Sequence, residues 1–135
     1  MAALCAWIGH VLATRSGAPD SFTASERGDQ PSANMIKHIV MWNVRGDDAA
    51  SRGRNLALVK REFESLRGRI PGLLHLEVGV DESRIDYACD LVLYSEFASR
   101  EALAAYAEHP EHLRVKRALG DLRSARHQVD YEVAR

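Results

Sequence analysis

Two histidines flank a proline in Tyr106-Ala107-Glu108-His109-Pro110-Glu111-His112. Proline lacks an N–H and fixes its own φ, so it suits the first position of a helix and puts His109 at the cap and His112 in the first turn. Imidazole titrates at about pH 6.5, where modest changes in surroundings make it a proton acceptor or donor at neutral pH. With Tyr106 nearby, His112 could remove a proton α to a carbonyl while the phenol hydrogen-bonds the developing enolate oxygen. General-base catalysis of that kind is worth about 10²–10⁴-fold. The purely structural alternative has His109 and His112 capping the helix or bonding backbone across the proline break, with the Tyr106 ring packed in the core. A metal is not expected on these residues. His109 and His112, with Glu111 between, lack the further ligands of a four-coordinate zinc site, and the sequence has neither Cys-x-x-Cys nor His-Glu-x-x-His.

The elements that must position these groups are readable from periodicity. Ile36, His38, Val40, Trp42 and Val44 share one face of a first strand, while Ile39 and Met41 point the other way, so both faces of the sheet need cover. Gly46-Asp47-Asp48 breaks that strand, and Leu56, Val59, Phe63, Leu66 and Ile70 form one helical stripe ending before Pro71-Gly72. Leu74, Leu76, Val78 and Val80 alternate with polar or small residues as a second strand, and a third runs from Cys89 to Phe97. Ser99 is the expected N-cap of a short helix bearing Ala102, Leu103 and Tyr106. Pro110 restarts the helical run, and a last strand alternates His127, Val129, Tyr131 and Val133 with Arg126, Gln128, Asp130 and Glu132.

This β-α-β-β-α-β order is α+β and ferredoxin-like, an antiparallel sheet with both helices on one face. The other face would leave a contiguous apolar patch, so the expected partner is a second copy, sheet against sheet. At 135 residues the chain holds one domain of ordinary core size. Eighteen basic and 19 acidic residues, net −1, supply no field for nucleic acid or anionic membrane. Residues 1–34 read as a disordered extension, with Met35 as the natural start of a domain over 35–135. The apolar run Ala2 to Ala13 has no Lys or Arg before it, as a secretory leader would, and is too short for a membrane span. Cys5 and Cys89 lie in unlike contexts, so reduced cytoplasmic thiols are expected, with Cys89 a packed one. Glu77 and Glu96 fall on strands and are expected to face solvent or pair with basic side chains.

Met35-Ile36-Lys37-His38-Ile39-Val40, Ile70-Pro71-Gly72-Leu73, Asp90-Leu91-Val92-Leu93-Tyr94-Ser95-Glu96-Phe97, the Tyr106–His112 segment and Val129-Asp130-Tyr131 occur in order. Together they resemble the stress-responsive dimeric α/β barrel (Dabb) family. The resemblance implies a ferredoxin-like homodimer whose sheets form a barrel. One branch of that family, a plant polyketide cyclase, closes a poly-β-keto acid by an aldol step without a cofactor. His112 matches that enzyme's catalytic histidine, Tyr106 its neighbouring tyrosine, and His38 a pocket histidine on the first strand. Phe63 and Leu91 stand where it has a pocket tyrosine and a pocket histidine, so the resemblance implies a pocket lined differently from that enzyme's. Haem, bound by other dimeric α/β barrels, would find no axial ligand here beyond these histidines, and no cofactor is expected.

Two functions fit. One is a cofactor-independent cyclase, lyase or isomerase of a small keto compound, with His112 as base, Tyr106 as oxyanion partner, and His38, His109, Phe63 and Leu91 around the ligand. The other is a non-catalytic, stress-associated homodimer in which those residues only shape a cavity for a small apolar ligand.

Overall fold

The computed structural model describes residues 34–134. The expected lead-in, with its Cys5 and leader-like run, lies outside the described residues except for Asn34, which already belongs to the first strand. The elements run β1 (Asn34–Val44), α1 (Ala49–Glu64), β2 (Leu73–Val80), β3 (Leu91–Phe97), α2 (Arg100–Glu108), α3 (Pro110–Leu119) and β4 (Arg123–Ala134). The sheet order is β2-β3-β1-β4, antiparallel throughout, which is the ferredoxin-like arrangement with its second helix divided at Pro110.

Local chemistry sets the boundaries. Asp48 and Ser51 cap α1 reciprocally, the Asp48 carboxylate accepting from the Ser51 N–H at 2.7 Å and the Ser51 hydroxyl oxygen from the Asp48 N–H at 3.0 Å. Leu66 and Ile70, expected on the helical stripe, are buried instead in the turns after it, where the N–H groups of Leu66, Arg67 and Arg69 each bond a carbonyl three residues back. β3 starts two residues later than expected. Asp90 spends its backbone N–H on the Trp42 carbonyl at 3.0 Å and its carboxylate on the Val44 N–H at 2.7 Å, which keeps Cys89 ahead of the strand as a partly exposed thiol. Leu76 and Val78 enter the core, a bulge between Leu73 and His75 takes Leu74 out of the expected alternation and leaves it exposed, and Val80 is exposed at the end of the strand.

Under α1 the interior is closely packed, with Val59, Phe63, Leu66, Leu76, Val78, Leu91, Leu93 and Phe97 buried together. Gly72 brings α2 down on the sheet. Its φ is +79°, and a Cβ there would lie 2.6 Å from that of Ala102, so both conformation and space call for glycine. On the opposite face Met41, Val129 and Tyr131 stand exposed in a row across β1 and β4.

Candidate active site

The inner face of the sheet changes character toward β4. Register pairs Gln128 with Val40 and Asp130 with His38, so Arg126, Gln128 and Asp130 turn toward the helices while Val129 and Tyr131 turn away. These polar side chains are themselves exposed, and the sheet stands open to the helices beside them. A cavity of about 410 Å³ opens there, lined among others by His38, Trp42, Phe63, Tyr106, His112 and Arg123.

The proline break builds its roof. His109 ends α2 and caps α3 in one extended conformation (φ −65°, ψ 136°), and its Nδ1 accepts from the Glu111 N–H at 3.1 Å. The chain turns at that point and lays His112 over Tyr106, ring centroids 4.1 Å apart and planes 27° from parallel. His112 Nδ1 bonds the Ala107 carbonyl at 3.2 Å. A carbonyl only accepts, so Nδ1 carries the proton and Nε2 keeps the lone pair a base requires. Burial pushes the His112 pKa below its ordinary value of 6.5. The Ala107 bond opposes that shift, and Lys116, Arg123 and His38 reinforce it, leaving the ring neutral at pH 7. Burial holds the Tyr106 hydroxyl far above the usual phenol value, so it remains a donor. Both structural roles foreseen for these residues are real, and they coexist with a place on the cavity wall.

His38 lies on the other side of Tyr106, edge-on with centroids 6.2 Å apart, and is nearly fully buried. Its Nδ1 donates to Asp130 Oδ1 at 2.5 Å, and the second Asp130 oxygen accepts from the Gln128 amide at 2.8 Å. Gln128 in turn accepts from Arg126. This chain along β4 fixes the tilt and tautomer of His38. The sequence placed Asp130 and Gln128 on the last strand but assigned neither to the site. The signal was the alternation Arg126-Gln128-Asp130, a polar side on a strand whose other side is apolar.

Of the residues expected around a ligand, His38 and Phe63 line the cavity. His109 and Leu91 do not. His109 sits at the helix junction with its Nδ1 on the cap, and Leu91 is buried in the core between Trp42 and Val80 of the neighbouring strands, beside a separate hollow on the way to the outer face. Glu77 and Glu96 are remote from the cavity as well. The Glu96 carboxylate accepts from the Tyr94 hydroxyl at 2.6 Å, and Glu77 lies 3.6 Å from His75.

The family model described as the stress responsive A/B barrel domain matches residues 36–133. A curated relative, the stress-response A/B barrel domain-containing protein DABB1 of Arabidopsis thaliana, is 31% identical over 102 residues, covering 73% of this chain and 47% of that protein. The chain thus spans about half the length of that relative. Among solved structures, a dimeric ferredoxin-like protein of unknown function from Bacteroides fragilis is 31% identical, with a TM-score of 0.66 over 73% of this chain and 96% of that one. A hydroxynitrile lyase from Passiflora edulis, 13% identical with a TM-score of 0.62 over 73% of this chain and 93% of its own, shares the fold.

Proposed function

This chain belongs to the stress-responsive A/B barrel domain family, and we propose that it catalyses cofactor-independent proton transfer at a carbon beside a carbonyl, as a cyclase, lyase or isomerase of a small keto compound. The observation that carries this reading is the stack of Tyr106 on His112 against one cavity, with His38 edge-on beyond it. His112 Nε2 takes the α-proton, and the electron pair moves onto the carbonyl oxygen. Tyr106 donates a hydrogen bond to that oxygen, and the carbanion is then reprotonated or attacks a second carbonyl. His38, oriented by Asp130, supplies or accepts the second proton on the opposite side of the phenol.

Solvent-deuterium exchange into a β-keto acid or its thioester, followed by NMR, tests the proposal. His112→Ala is expected to slow enzyme-dependent exchange about 10²–10⁴-fold. An unchanged rate overturns the catalytic reading and leaves a ligand-binding dimer.

The same reading makes the protein a homodimer through its outer sheet face. Three exposed apolar side chains across β1 and β4, Met41, Val129 and Tyr131, support it, as does the likeness to the dimeric Bacteroides fragilis protein. Sedimentation of wild type against Val129→Lys is expected to show a dimer that weakens in the variant, and a wild-type monomer at micromolar concentration would rule the dimer out.

A further inference from the structure

Arg123 opens β4 at a place where the strand slips register. Met41 pairs with His127 and Asn43 with Ser124, so Ala125 and Arg126 together oppose Trp42, and Ala125 takes φ +48° to make the bulge. Without that extra residue the alternation that turns Arg126 inward would turn Arg123 outward; with it, both line the cavity. The Arg123 guanidinium lies 4.8 Å from the Trp42 ring centroid and 5.2 Å from that of Phe63.

Among the described residues its charge has no counter-ion. Its Nε is buried without an acceptor, and no ion pair or hydrogen bond among the described residues engages the guanidinium. The other charges on the cavity wall do not answer it. Arg100 pairs with Glu132 at 3.4 Å, Arg126 bonds Gln128, and Lys116 adds a further positive charge. Among the described residues the one lining carboxylate, Asp130, accepts from His38 and Gln128 with its two oxygens. The guanidinium is close enough for its charge to act on Tyr106 and His112. A partly buried, aromatic-stacked arginine without a counter-ion is a standing cost unless something anionic arrives.

We propose that Arg123 is the anchor for a carboxylate on the ligand, so that the cavity selects keto acids over neutral ketones, esters or nitriles. Trp42 and Phe63 hold the face of the guanidinium and leave its outer N–H groups for a planar anion, which Arg receives better than Lys. The remaining apolar wall, including Val40 and Leu103, takes the carbon chain. The proposal rests on the proton-transfer reading for the keto group but not for the acid group.

The test is calorimetric titration of the full chain with 3-oxooctanoate and with its methyl ester. The acid is expected to bind about tenfold to a hundredfold more tightly, a charge-assisted hydrogen bond's worth, and Arg123→Gln to bring the two to within about twofold. Equal affinity in wild type, no detectable binding of the acid, or a preference that survives Arg123→Gln overturns the anchor. If Arg123→Gln does not fold, the wild-type Arg123 Nε–H resonance decides, since it is expected to move with the acid and not with the ester, and a still resonance refutes the contact. Binding is read here without turnover. Failure of proton transfer would leave the acid preference intact, and failure of the anchor would leave exchange dependent on His112.

Discussion

The helix-facing side of one sheet is dry at one end and hollow at the other. Beneath α1, strands β2 and β3 present Leu76, Val78 and Leu91 to Val59 and Leu66, and Phe63 and Leu93 stand at the border between this packing and the hollow. Beneath α2 and α3, strands β1 and β4 present His38, Arg123, Arg126, Gln128 and Asp130 around open space. The two ends share strands and hydrogen-bond ladders, so backbone architecture does not separate them. What separates them is one strand, β4, whose inward alternation is polar. A sheet can thus place its close packing at one end and its chemistry at the other, and the incompletely partnered Arg123 lies where packing is loose.

Substitutions that probe each end should dissociate. Leu66→Ala, fully buried at the dry end, is expected to cost about 2–5 kcal/mol in urea denaturation, whereas Gln128→Ala on the exposed lip of the hollow should stay within about 0.5 kcal/mol. Comparable losses from both would erase the division.

A smaller effect should appear with pH. The His112 pKa is depressed by burial in the folded chain, while the unfolded chain titrates near 6.5. Between those values the unfolded state binds more protons, so stability rises with pH. The contribution is fully present above about pH 6.5 and is lost as pH falls through the lowered folded value. The urea midpoint of wild type is therefore expected to fall more between pH 7 and pH 5 than that of His112→Phe, which has no imidazole at that position. Exchange should titrate with the same lowered value, and a half-maximal rate above pH 6.5 would contradict a desolvated base.

A modest change concerns the roof. The Ser99 hydroxyl accepts from the Ala102 N–H at 3.1 Å at the start of α2, and Ser99→Ala is expected to cost about 1 kcal/mol by thermal melting. A larger loss would show that the roof, not the α1 end, carries the stability.

Much of the fold was legible because its signals are local. The β1 alternation, the Ser99 cap and the restart at Pro110 each depend on a few neighbouring residues, and each is present. Among the site residues, His38, Phe63, Tyr106 and His112 reach one cavity, while His109 and Leu91 do not. His109 was legible as a cap, where its Nδ1 accepts from the Glu111 N–H, and its ring lies outside the cavity lining. Leu91 was placed by alignment to a pocket residue, but position along a strand says nothing of where the helices leave a gap.

Sequence alone determined where strands alternate and where the helical run breaks, since these follow from side-chain period and from the backbone limits of proline and the capping residues. Only the tertiary structure decided that Asp130 meets His38 across 92 residues of chain, that a bulge turns Arg123 inward, and that the hollow lies between them. Strand register is a pairing between distant segments, and no local period encodes which side of β4 the helices will cover.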